Sequence, residues 1–261
     1  MRFRFVTVDK KTEGRENGIT QVQIRTDEWP GNTVLLWFPE AVGPVWENWN
    51  PDGAYQDFIV RDSGVSWVYD LKPQALVEAV LKAEESSLML NVHVTNRSRE
   101  MLEKVSVQNC CHLKESPDFA CGDHTRIFIR TEGKWMPLSE LAPQQAHSVY
   151  YKKDYLESGN TDYWDACWGE NRENHYSDYP LMVCVSKDGK RSIATASENY
   201  RCVFHNSASR LMCIHSNQCP VPTLAPGATE TFRQKIYFVE GGLEKAIATY
   251  EASVLNGNFI D

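Results

Sequence analysis

The chain has 261 residues, 42% of them hydrophobic, and a formal charge of −8, which is enough apolar material for one large domain or two small ones. An acidic balance without clustered Lys and Arg excludes a phosphate-gripping surface, and with it nucleic acid as a partner. No apolar run approaches the ~18 residues of a membrane-spanning helix, so no membrane partner is expected either.

The opening MRFRFVTVDKKTEG has basic residues but no continuous apolar stretch and no small-residue cleavage site. The cytoplasm is therefore expected for the chain as given, although a removed secretory signal would leave no trace. Eight cysteines are dispersed without a CxxC pair, which speaks for buried reduced thiols and against a zinc knuckle.

In chain order, RFRFVTVD alternates as a strand and forms a hairpin with ITQVQIRTDEW across a turn at Glu16 to Gly18. NTVLLWFPEAVGPVW follows as a buried strand ending at Pro39. WENWNPDGAY is an aromatic loop with Trp46, Trp49 and Tyr55, either packed under the body of the protein or offered as a stacking platform for sugar rings. GVSWVYDL is a strand. PQALVEAVLKAEES has helix-forming residues, yet Val77, Ala79, Leu81 and Ala83 alternate, and strand is preferred because a polar turn leads into alternating LMLNVHVTN.

In that next strand Leu88, Leu90, Val92 and Val94 share one face. KVSVQNCCHL then places Val105 and Val107 opposite a polar row of Ser106, Gln108, Cys110 and His112. TRIFIRTEGKWMPL is a hairpin. Residues 139 to 179, rich in Tyr and Trp, show no apolar period and read as a long excursion over one mouth of the domain. YPLMVCVSKDGKRSIATASE and YRCVFHNSASRLMCIHS are hairpins, and the second, turning at Asn206 to Ser209, puts His205 and His215 on one face. A strand follows the Ala-Pro-Gly turn, and LEKAIATYEASVL closes as a helix with Leu243, Ile247, Tyr250 and Val254 on one stripe. The expected architecture is all-β: a single antiparallel two-sheet sandwich domain over residues 1–261 with a short C-terminal helix.

Strand, then Val94-Thr-Asn-Arg-Ser98, then a strand ending in His112 resembles the galactose mutarotase-like (aldose 1-epimerase-like) supersandwich proteins, in which a Thr-Asn turn precedes a strand that delivers a histidine to the sugar cleft. MCIHS (212–216) followed by LAPGATETFRQKIYF is similar to the group's penultimate strand, Pro-Gly turn and closing strand. The resemblance implies a β-supersandwich over roughly residues 60 to 240, a site histidine at His112, and the catalytic base on the 212–216 strand. There the sequence departs: aldose 1-epimerases carry a glutamate on that strand, and His215 stands here instead. The Asn-His-x-Tyr-Phe-Asn signature is also replaced, by Cys110, Cys111, His112, Leu113 and Lys114.

Sugar proton transfer needs one group to take a proton and another to give one, which suits two histidines. His112 and His215 are the expected catalytic pair, with Asp118 and Glu115 orienting them. Arg201, Arg126, His205, Trp49 and Trp168 would bind substrate, a small sugar or an oligosaccharide. Epimerisation with ring opening, and elimination, both use this kit, and neither requires a cofactor. A second possibility is a zinc or manganese site on His112, His205 and His215. A third is a Cys110 or Cys111 nucleophile beside His112, and a fourth is a non-catalytic glycan-binding or structural sandwich whose histidines are hydrogen-bonded packing residues.

Overall fold

A computed structural model of the chain describes residues 1–8, 21–45, 54–55, 59–141, 147–158, 176–206 and 212–257. Its strands, in chain order, are β1 (Phe3–Val8), β2 (Gln21–Thr26), β3 (Val34–Gly43), β4 (Ala54–Tyr55), β5 (Ile59–Arg61), β6 (Gly64–Leu71), β7 (Ala75–Ala83), β8 (Ser87–Asn96) and β9 (Leu102–His112). They continue with β10 (Ile127–Thr131), β11 (Lys134–Pro137), β12 (His147–Tyr151), β13 (Leu181–Val185), β14 (Arg191–Ser197), β15 (Tyr200–Asn206), β16 (Cys213–Gln218), β17 (Val221–Leu224) and β18 (Thr229–Glu240). One antiparallel sheet runs β1-β2-β3-β9-β16-β15-β12, with β17 also on β9, and the other runs β11-β10-β13-β14-β18-β8-β7-β6-β4, with β5 on β6. The all-β, two-sheet expectation therefore holds.

Period-two burial explains how the sheets close on each other. In β8, Leu88, Leu90, Val92 and Val94 are fully buried while the residues between them are half-exposed. The doubtful β7 behaves in the same way: Ala75, Val77, Ala79 and Leu81 face the core. These side chains meet Leu36, Phe38, Val105, Val107, Cys111 and Ile214 of the eight-stranded sheet in one apolar layer. The C-terminal helix, Leu243–Leu255, covers the opposite face of the second sheet through Leu243, Ile247, Tyr250 and Val254, as its apolar stripe requires.

The Thr-Asn and Pro-Gly turns that carry the family resemblance are bonded to one another. Asn96 is fully buried, and its amide nitrogen donates to the carbonyls of Glu100 and Leu224, both at 2.8 Å. Its backbone exchanges hydrogen bonds with Gly227 and Ala228. The partner turn closes Ala228 N–H onto Ala225 C=O, with Gly227 at φ +77°, the left-handed position that glycine occupies after proline in a type II turn.

Two expectations change. β3 does not end at Pro39: the ladder pairs Trp37 with Cys110, then resumes at Ala41 with Gln108, so Phe38, Pro39 and Glu40 bulge opposite Asn109 alone. A bulge tolerates the missing proline N–H that a regular ladder cannot. Within the stretch read as irregular, residues 147–151 form β12 against β15 and Lys153–Glu157 form a short helix. Among the described residues no helix is long and apolar enough to cross a membrane.

Candidate functional site

β9 is the central strand of the site. Its core-facing residues, Val105, Val107 and Cys111, alternate with Ser106, Gln108, Cys110 and His112 on the face turned away from the second sheet. β16 pairs Cys213 with His112 and Ile214 with Cys111. Ile214 thus joins the core, while Cys213 and His215 come to the same face as Cys110 and His112. The two histidines expected to converge do lie on one face of one sheet.

They are held differently. His112 packs at a tilt against Trp37 with ring centroids 4.0 Å apart, and its Nδ1 lies 3.5 Å from the Cys213 thiol. His215 lies flat on Phe204 at 3.6 Å, and its Nδ1 contacts the Phe204 carbonyl at 3.2 Å. A carbonyl only accepts, so Nδ1 carries the proton and Nε2 is left for chemistry. That nitrogen faces the Glu40 carboxylate at 3.7 Å, and Gln108 donates to the same Glu40 oxygen at 2.6 Å. The 3.7 Å gap is an electrostatic contact, longer than a hydrogen bond. Glu40 reaches this face because the bulge re-aims the strand. All of these groups are shielded from solvent: His112 is 0% exposed, His215 1% and Glu40 3%.

The expected orienting carboxylates are elsewhere. Asp118 accepts from Asn32 at 2.8 Å and pairs with Arg191 at 2.9 Å; the Asn32 amide and then the Arg191 guanidinium hold its carboxyl below the usual range. Glu115 is exposed, and its backbone carbonyl accepts from Thr33 N–H. Arg126 is a backbone clamp, donating to the carbonyls of Asp118, Ala120 and Val185. These contacts tie the loop after β9 to residues 32–33 and β13, which turns its acids away from the histidines. Arg201 is buried at a bulge between Tyr200 and Cys202. Trp49 and Trp168 lie outside the described residues.

His205 does not share a face with His215. β15 and β16 pair odd residues with even ones, His205 with Ile214 and Phe204 with His215, so His205 sits on the core side beside Val203. The metal set of His112, His205 and His215 is not assembled. Instead, among the described residues, two groups have ligand atoms within 4.8 Å of one another: Cys110, His112 and Cys213, and Glu40, Cys110 and His215. Burial pushes the Cys110 and Cys213 thiols up, the reverse of an activated nucleophile.

Buried beside His124, with ring centroids 4.6 Å apart, His205 has its pKa lowered to about 3 by desolvation first, then by His124 and His215. Because the folded value lies below the reference of 6.5, neutral His205 gives its full stability above that pH and loses it as pH falls toward 3. Going from pH 7 to pH 5 is expected to cost about 2 kcal/mol from this group. Urea midpoints across that range should show the slope, and His205→Phe should remove most of it.

Sequence reasoning missed Glu40, Gln108 and Trp37 as site residues. The available signal was one acid inside the otherwise apolar VLLWFPEAVG, since a lone carboxylate on a buried strand needs a partner.

Two antiparallel sheets in this order make a two-sheet β-sandwich, a fold that solved structures share. No protein-family model and no curated protein sequence matches the chain. Among solved structures, the galactose mutarotase related enzyme from Lactobacillus acidophilus aligns with a TM-score of 0.52 over 92% of this chain and 98% of its own, at 10% identity. The alpha-N-acetylgalactosaminidase NagBb from Bifidobacterium bifidum, in a GalNAc complex, aligns at 0.54 and 12% identity over 98% of this chain and 37% of its own. A glycoside hydrolase family 97 enzyme from Pseudoalteromonas sp. strain K8, in complex with panose, aligns at 0.50 and 10% identity over 92% and 34%. At such identities the likeness defines the fold.

Proposed function

We propose that the chain acts on a carbohydrate by proton transfer, with Glu40 and His215 as the acid/base couple. The observation that carries this is the buried carboxylate and imidazole 3.7 Å apart, each oriented by a second group, Gln108 and the Phe204 carbonyl. When the couple carries one exchangeable proton, its unprotonated member takes a proton from a sugar hydroxyl or carbon while the protonated member gives its own to the ring oxygen or the leaving oxygen, which serves ring opening, epimerisation or elimination. The supersandwich neighbours support a sugar substrate, because one is described as mutarotase related and two are in complex with sugars. Glu40 comes from β3, so it supplies from a different strand the carboxylate that the 212–216 strand lacks.

Glu40 and His215 are closed off from solvent. That burial favours a second reading, in which the fold binds glycan or serves structurally and the imidazoles pack against Trp37 and Phe204.

The test is incubation of the purified chain in D2O with a panel of aldoses, ketoses, uronates and oligosaccharides, followed by proton NMR. Anomeric exchange, deuterium incorporation or new vinyl signals above the blank, abolished in His215→Ala, are the expected result. Binding without turnover across the panel would replace the enzyme by the glycan-binding reading. Neither binding nor turnover would remove the carbohydrate assignment.

A further inference from the structure

We propose that Cys110, His112 and Cys213 form a binding site for a thiophilic divalent cation, zinc in the first place. The site is separate in chemistry from the Glu40–His215 couple and does not rest on the sugar assignment.

The ladder sets the three ligands. Cys110 and His112 are two residues apart on β9, hence on one face, and Cys213 is the direct cross-strand partner of His112. Their ligand atoms all lie within 4.8 Å of one another. The His112 Nδ1 to Cys213 Sγ separation is 3.5 Å. In a tetrahedral zinc site, bonds of about 2.3 Å to sulfur and about 2.0 Å to nitrogen hold S and N about 3.5 Å apart. The sheet therefore presents this ligand edge at the spacing the metal needs.

Chemistry agrees with geometry. Two thiolates neutralise a dication, so the loaded centre adds no net charge to a buried environment. Thiolate with imidazole selects zinc over magnesium, calcium and manganese, which prefer oxygen. Three protein ligands leave the fourth position to a water or another small ligand, as three-ligand zinc sites do. The thiols are free. Trp37 packs against both cysteines and the His112 ring, shielding the centre from water.

The experiment uses the full chain, purified under reductant, stripped with a chelator and titrated with Co2+ alone. One cobalt per chain is expected, with sulfur-to-cobalt charge transfer in the near ultraviolet, tetrahedral d–d bands in the red, and displacement by Zn2+. Cys219→Ser, which changes a half-buried thiol outside the cluster, should bind as the wild type does. Cys110→Ser and Cys213→Ser, checked for folding by circular dichroism, should each weaken binding by more than about tenfold. If either variant fails to fold, X-ray absorption of the zinc-loaded wild type decides: two sulfur neighbours with one or two nitrogens support the site. An oxygen and nitrogen shell without sulfur would overturn it, as would substoichiometric cobalt or bands surviving both substitutions. A Cys110–Cys213 disulfide in the native chain would also overturn it.

Discussion

Glu40→Gln is expected to lower sugar turnover by about a hundredfold or more while the protein keeps its fold. The substitution is nearly isosteric, and an amide oxygen at this position still accepts the hydrogen bond that Gln108 donates at 2.6 Å. What disappears is the carboxyl group facing His215 Nε2 and its capacity to exchange a proton. Loss of a group used in the reaction step lowers kcat more than it raises KM. Kinetics on whichever sugar responds, alongside a thermal melt, separates the outcomes. Turnover within about twofold of the wild type would make Glu40 a packing residue.

The second large effect concerns stability. Asn96→Ala is expected to cost about 2–4 kcal/mol, because it deletes one buried side chain that satisfies several groups together. The amide donates to Glu100 and Leu224, and its oxygen accepts from both the backbone and the hydroxyl of Ser98. Removal takes the side-chain donor from the buried Leu224 carbonyl, leaves Glu100 C=O to the Ser98 hydroxyl alone, and loosens the β8–β9 turn from the Pro226-Gly227 turn. Asn96→Asp should be no better, since a carboxylate would face those carbonyls with no hydrogen to give. Urea unfolding should show a lower midpoint with an unchanged m-value; a shift below about 0.5 kcal/mol would mean that the two turns hold each other by backbone bonds alone.

Legibility in the sequence follows how local each determinant is. Strand identity depends on period-two alternation within a few residues, which is why β8, β9 and even the ambiguous β7 could be read directly. The same alternation placed His112 on the polar face of β9, and the register of β16 brought Cys213 beside it and His215 onto the same face. Residues 207–211, between β15 and β16, fall outside the described part of the chain. The pairing across the hairpin joins odd to even residues, and assuming like parity was enough to put His205 on the wrong side. Glu40 was hidden because a proline ordinarily ends a strand, whereas here a bulge absorbs it. Asp118 and Glu115 stand only a few positions beyond His112. Their direction, however, is set by Asn32, Thr33 and Arg191, contacts between distant parts of the sequence that no local pattern reveals.

The central claim is that the face carrying Glu40 and His215 meets sugar, and imidazole nitrogen NMR of the histidine-labelled chain tests it most directly. His215, assigned by comparison with His215→Ala, should show its Nε2 resonance shifting as the responsive sugar is added, while Nδ1 keeps the signature of a nitrogen bound to hydrogen. An Nε2 resonance unmoved by every sugar in the panel, while turnover or binding proceeds, would contradict the account and place the chemistry on another part of the molecule.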